Sequence, residues 1–388
     1  MSKWETVKLG DICTIVTGGT PSTSVKSYWD NGKIPWLPSG ICQNAIIDKS
    51  DTFITKEGLN NSSAKIMPIN TVVIALTGTT TGKVGILKIE ACANQSVTGI
   101  LPNDTLHYKY IFYYLLFSRS KIMNDSYGGA QKHISQRYVK DFQIPLPPLE
   151  IQKKIVLTLD KVTHIIDLCN TILEKMELLV KARFAEMFGD PVSNPMRWQT
   201  KLLLSIGKCK NGMNFHYDDN GVEINCLGVG DFKDLSIITD TSALPKISLN
   251  EMPTDEYLLK NNDIVFVRSN GNKALVGRSL AVYPDDIPTT FSGFCIRFRK
   301  DDDSILIPYL LRVLKTDSIR KKMAGRGANI QNLNQQILST LEIPVPPLEL
   351  QQKFADFIKQ TEKSKSAVKK VLEKAETLKK ALMQEYFG

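Results

Sequence analysis

Two stretches of the chain place apolar residues with the period of a long α-helix, and the second stretch repeats the first. Ile151, Ile155, Thr158, Val162, Ile165, Cys169, Ile172, Met176 and Leu179 recur at spacings of four and three, and Leu350, Phe354, Phe357, Thr361, Ser364, Val368, Val371, Ala375 and Leu378 repeat the pattern 199 residues later. A narrow apolar seam of this kind predicts a coiled coil. The starts match as well, Ile144-Pro-Leu-Pro-Pro-Leu-Glu-Ile-Gln152 against Ile343-Pro-Val-Pro-Pro-Leu-Glu-Leu-Gln351, and so do the ends, Glu186-Met-Phe-Gly189 against Glu385-Tyr-Phe-Gly388. Proline before the first turn, glutamate within it and glycine after the last turn are each favoured at those positions of a helix. Asp190-Pro191 stops the first helix from continuing.

The first helix carries a second apolar stripe one position further on, at Leu159, Ile166, Leu173, Val180 and Met187. Two stripes are wider than one partner helix needs, so this face is expected to meet either the chain's own globular segments or a partner protein. Leu372 and Tyr386 are the matching candidates on the second helix. About 38 residues at 1.5 Å rise make a rod of roughly 57 Å. Because the ends of a domain usually lie close together, connectivity favours an antiparallel pair, with pseudo-two-fold symmetry and a globular domain at each end.

The repeat divides the chain into a globular segment, residues 1–143, a helix, 144–189, a second globular segment, 190–342, and a second helix, 343–388. The globular segments share punctuation but little sequence. Trp4-Glu-Thr6 resembles Trp198-Gln-Thr200, and residues 70–76 and 262–268 each read as a buried strand followed by a polar loop and a second strand beginning Val84-Gly85 or Val276-Gly277. Helical patterns at 108–123 and 308–323 precede two further glycine-containing segments, 128–134 and 325–333. The fold class is therefore mixed α/β: two similar globular domains separated by two long antiparallel coiled-coil helices.

The loops carry chemistry suited to a polyanion. Thr77, Thr79, Thr80 and Lys83 in the first segment, and Arg268, Asn270, Asn272 and Lys273 in the second, offer hydroxyls, amides and cations. Gln131, Lys132 and His133, and in the second segment Arg326, Asn329, Gln331 and Asn332, form another such set. These groups bind phosphates and base edges; Gln or Asn pairs bidentately with adenine and Arg with guanine.

Charge narrows the location of such a surface. The net charge is +9, and residues 1–143 hold 15 Lys and Arg against 10 Asp and Glu, whereas 190–342 is nearly balanced. A nucleic-acid surface on the second segment must therefore be local. The seven cysteines include no Cys-x-x-Cys pair and the four histidines show no ligand spacing, so no metal is assigned. No apolar run approaches the roughly 20 residues that cross a bilayer, and a cytoplasmic location is expected. Gly78-Thr-Thr-Thr-Gly82-Lys83-Val84 is one residue short of a phosphate-binding loop and lacks its magnesium-holding hydroxyl, and Asn194-Pro195-Met196-Arg197 misses the motif that holds an amine for methyl transfer. No catalytic residues are assigned.

The Pro-Leu-Pro-Pro-Leu-Glu-x-Gln start, the duplicated helix and the paired tryptophan starts closely resemble the specificity subunit of type I restriction-modification systems, over the whole chain. The resemblance implies that each globular segment is a target recognition domain reading one half of a bipartite double-stranded DNA site. It also implies that the helices set the spacing and bind two methyltransferase subunits, with restriction subunits joining. S-adenosylmethionine, ATP and magnesium would then belong to those partners and none to this chain. The alternative is a coiled-coil adaptor without DNA specificity.

Overall fold

A computed structural model describes residues 4–129, 132–215, 221–232, 237–324 and 332–388. By contacts the chain forms two units: Met1–Thr171 with Lys369–Gly388, and Ile172–Val368. Each unit thus combines one globular head with half of each long helix.

The first head holds a five-stranded sheet in the order Ile15–Thr17, Val97–Ile100, Val72–Ala75, Val84–Leu87, Ala45–Ile47, with only the last pair parallel. A three-stranded sheet, Phe53–Ile54, Ile34–Leu37, Cys92–Ala93, lies in the same head. The central strand Val72–Ala75 is apolar throughout because both its faces are covered. Val72 and Ile74 join the core shared with the helices, while the alternate residues Val73 and Ala75 join a second core with Leu37, Leu87 and Ala93.

The second head repeats this topology. Its sheets run Gly207–Asn211, Cys295–Lys300, Asp263–Val267, Ser279–Val282, Ile237–Ile238 and Lys246–Leu249, Val222–Leu227, Thr289–Phe291. The two heads are one mixed α/β fold, as expected, and their central strands share the same two-sided burial. The strand after the polar loop begins at Ser279 rather than Val276, because Gly277, at φ +74°, still closes the loop. Each helical pattern near the end of a head is split into two helices, Tyr108–Phe117 with Arg119–Asp125 and Ile307–Leu314 with Asp317–Ala324.

The paired tryptophan starts have a structural meaning. Thr6–Lys8 and Thr200–Leu202 follow them and pair antiparallel with Gln143–Pro145 and Glu342–Pro344, the strands that lead into the helices. Buried Tyr110 and Tyr309 donate their hydroxyls to Pro145 O and Pro344 O at 3.0 and 2.9 Å. Each head is thereby tied to the start of its own helix.

Both helices, Leu149–Phe188 and Leu348–Phe387, are 40 residues long. Inside the first unit, Ile155, Val156 and Leu159 share a core with Met383 and Phe387. Inside the second, Val180, Phe184 and Phe188 share one with Phe354. The start of one helix therefore lies beside the end of the other in both units, which is the antiparallel arrangement. The buried line departs from the strict heptad seam: Ile165 and Leu179 are 42% and 53% exposed, and burial passes to Leu159 and Val180. A straight helix of 3.6 residues per turn drifts about 20° per heptad against a 3.5 repeat, so a fixed heptad register cannot follow it.

After Gly189, whose φ of +74° ends the helix, Asp190 Oδ1 accepts the N–H groups of Val192 and Ser193 at 3.0 Å each. Asn194 closes the turn onto the backbone of Trp198. The Asn194-Pro195 sequence is thus part of a helix-terminating turn.

Candidate nucleic-acid interface

In each head the central strand runs into the polar loop, and backbone bonds close the loop, Ala75 N–H donating to Lys83 O and Val267 N–H to Arg278 O at 2.9 Å each. Gly82 N–H donates to Ala75 O at 2.9 Å, and Gly277 N–H to Val267 O at 2.8 Å. Both glycines have positive φ, +72° and +74°, which a side chain would strain. Between these closures lie residues 76–81 in the first head and 268–276 in the second, so the two loops differ in length on a shared frame.

A second segment lies along each loop. Ile134 N–H donates to Leu76 O at 2.9 Å and Leu333 N–H to Arg268 O at 2.8 Å, and single antiparallel bridges join Thr77 to His133 and Ser269 to Asn332. Each segment is then fixed by a helix cap, Ser135 accepting from Tyr138 N–H and Asn334 from Ile337 N–H. Lys132 and His133, separated from Thr77 by some fifty residues of sequence, are thereby brought onto the rim of its loop.

Within the first set, Thr79 is exposed, Thr77, Lys83, Lys132 and His133 are half-buried, and Thr80 is only 6% exposed. Thr80 is therefore corrected from a reader to a packing residue. Its neighbour Thr81, also buried, holds the two segments together through an Oγ1 at 2.8 Å from Gly78 O and 2.7 Å from Lys132 O. The Lys83 ammonium donates to Gln43 Oε1 at 2.6 Å, which adds an exposed amide that the sequence reading did not include. A strand, Val84–Leu87, follows the loop, so the near-match to a phosphate-binding loop lacks the helix such a loop requires.

In the second set, Asn272 and Lys273 are exposed, and Arg268 and Asn270 are half-buried. Arg268 Nη1 donates to Gly293 O at 3.2 Å, steering the guanidinium along the rim. Asn270 Oδ1 accepts Asn272 N–H at 2.7 Å and Asn272 Oδ1 accepts Ala274 N–H at 3.1 Å, which makes the loop a chain of side-chain-supported turns. Gln131, Arg326, Asn329 and Gln331 lie outside the described residues.

Two aromatic residues on these rims were missed. Tyr127 and Phe294 are 63% and 61% exposed. Tyr127 exchanges both backbone hydrogen bonds with His133, at 3.1 and 2.8 Å, and the carbonyl of Phe294 accepts Arg268 N–H at 2.8 Å. Neither carries a sequence signal of its own, because an isolated aromatic reads as core.

The proposed partner stripe divides by burial. Leu159 and Val180 are buried in the cores of their own units, so the structure corrects them to core residues. Met187 and Tyr386 pack against those same cores while staying partly open, and Leu173 and Leu372 are half-buried. Ile166 lines a cavity of about 540 Å³ with Phe117, Lys379 and Met383. Leu157, Leu168, Leu178, Leu179 and Leu378 are the helix leucines that remain 49–61% exposed at other positions.

A duplicated frame with unlike polar rims defines a two-headed recognition protein. The family model for the type I restriction modification DNA specificity domain matches it twice, at residues 1–178 and 197–378. The chain belongs to that family. A specificity subunit of the type I restriction enzyme MjaVIII from Methanocaldococcus jannaschii is 24% identical across 98% of this chain and 91% of its own length. The EcoR124I/EcoR124II specificity subunit from Escherichia coli is 32% identical, but over 41% of this chain and 40% of its own. Among solved structures, an S subunit from M. genitalium superimposes over 100% of this chain and 96% of its own with TM-score 0.60 at 15% identity. A chain from a type I restriction-modification complex superimposes over 99% and 97% with TM-score 0.61 at 18% identity. Among the described residues, no helix is long and apolar enough to cross a membrane.

Proposed function

We propose that this chain is the DNA sequence-recognition subunit of a type I restriction-modification complex. Residues 1–143 and 190–342 are its target recognition domains, each reading one half of a bipartite duplex site. Residues 144–189 and 343–388 set the spacing between the half-sites and carry two methyltransferase subunits, with restriction subunits joining them. S-adenosylmethionine, ATP and magnesium are held by those partners, which perform adenine methylation and DNA cleavage; this chain supplies the address.

The observation that carries this reading is the recurrence of one backbone arrangement with different side chains. The Thr77–His133 and Ser269–Asn332 bridges occupy the same place in both heads, one presenting Lys83 and Lys132, the other Arg268 and Asn332. An adaptor binding proteins needs no such pair of polar rims.

Salt dependence tests it. Binding of the full chain, with its partner subunits, to duplex DNA falls steeply with rising salt, because each neutralised phosphate releases counterions. Affinity for duplex that is weak and independent of salt would favour the adaptor.

A further inference from the structure

Phe294 sits on a turn whose backbone bonds are already made. Its carbonyl accepts the N–H groups of Arg268 and Ser269 at 2.8 and 3.3 Å, and its own N–H donates to Ser292 Oγ at 3.3 Å. The neighbouring Gly293 donates to Met213 O at 2.7 Å, and a side chain there would collide with Asn214. The ring is therefore carried on a fixed backbone yet stays 61% exposed. Among the described residues, polar Arg268, Ser269 and Asn332 form the rim on one side of it.

The first head places an aromatic on the same rim by another route. The residue equivalent to Phe294 is Ser96, whose carbonyl accepts Leu76 N–H at 2.7 Å. Tyr127 supplies the ring instead, from the adjoining segment, with its centroid 5.8 Å from that of His133. Among the described residues, each head thus exposes a ring on a hydrogen-bonded backbone within its polar rim, although the two rings stand on different segments.

A large apolar ring held in water among hydrogen-bonding groups suits a flat partner whose edges are polar. A protein hot spot would instead seat such a ring in a well-packed pocket ringed by contacts that exclude water. A nucleic-acid base has an apolar face and polar edges, and aromatic rings stack on bases irrespective of their identity.

We propose that Phe294 and Tyr127 are stacking residues, each packing against the face of a base in the half-site read by its own head while the neighbouring polar groups reach base edges or phosphates. This rests on the DNA-reading function above and adds to it a contact that carries affinity without charge. The base face becomes available at a step the protein unstacks, as apolar side chains do when they wedge between bases.

The test uses the full chain with its methyltransferase subunits and a duplex bearing its methylation site, titrated at several salt concentrations. Phe294→Ala weakens binding on the order of 10-fold at every salt concentration, with the slope against salt unchanged and the subunits still co-purifying. Phe294→Trp stays within about threefold of the parent, because a larger ring still stacks. Tyr127→Ala acts likewise through the other half-site. Binding of Phe294→Ala within about twofold of the parent, where Arg268→Ala is clearly weaker, overturns the proposal and leaves DNA reading intact. So does a Trp variant as weak as the Ala variant, or a loss of partner subunits in place of DNA. A parent complex that shows no salt-dependent duplex binding overturns DNA reading and stacking together.

Discussion

Gln351 accepts the backbone N–H of Leu306 at 2.8 Å and returns two bonds of its own, to Ser304 O at 2.9 Å and Pro346 O at 2.8 Å. Gln152 does the same in the other unit, with His107 N–H, Thr105 O and Pro147 O. Both side chains are fully buried and every polar atom is matched. This is the physical content of the repeated Pro-Pro-Leu-Glu-x-Gln sequence: one amide locks the first turn of a long helix to the loop of its head. Gln351→Leu strands one N–H and two carbonyls in the interior, and an unmade buried bond costs about 1–3 kcal/mol. Urea denaturation is expected to show a loss of about 2–4 kcal/mol in the transition of the second unit. A change under about 0.5 kcal/mol would mean that water replaces the amide.

The second unit also carries a charged cluster with a pH signature. Lys365 reaches Glu177 at 2.8 Å and Arg312 approaches it at 3.5 Å. Burial pushes the Glu177 carboxyl up, but the hydrogen bond and charge of Lys365, with Arg312 and Lys315, outweigh it and hold the group below its ordinary value. A carboxyl lowered in the folded state contributes stability above its unfolded pKa and loses it as pH falls through the folded one. Unfolding followed between neutral pH and about pH 3 should therefore show an acid-dependent loss that Glu177→Gln reduces. An identical pH profile in the variant would show that the cluster is screened by solvent.

The rims separate two kinds of contact. Lys83→Gln removes a cation from the first head, and the expected result is weaker binding to every duplex alike, with the salt slope reduced by about one. Arg268→Ala is expected to relax preference at one position of the second half-site, at a cost of about 1–3 kcal/mol against the parent's preferred base. Binding selections from a randomised duplex pool separate the outcomes. Uniform weakening by both substitutions would assign Arg268 to a phosphate.

The long helices, their antiparallel pairing and the duplicated mixed fold were legible because period, repeat and chain connectivity are properties of sequence order. The rims were legible only in composition. That Lys132 lies beside Thr77 depends on the Ile134–Leu76 backbone bond, which leaves no trace in residue type. Thr80 and Thr81 look like exposed hydroxyls in a Gly/Thr loop, yet they are buried, because the loop folds back under the neighbouring segment. For Leu159 and Val180 the stripe leaves open a partner or the chain's own heads, and they are core because helical drift moves the buried line off a strict heptad. Tyr127 and Phe294 were invisible for the opposite reason: an aromatic residue is assigned to the core unless its backbone mounting is known.

The central claim, that two unlike heads read two separate parts of one site, is tested most directly by mapping every adenine methylated by the complex in a defined genome, before and after exchanging residues 268–276 for a loop of different sequence. The account predicts a motif of two specified blocks with an unspecified spacer of constant length, in which the exchange alters one block and leaves the other unchanged. A single continuous motif, or two blocks that change together, would contradict it.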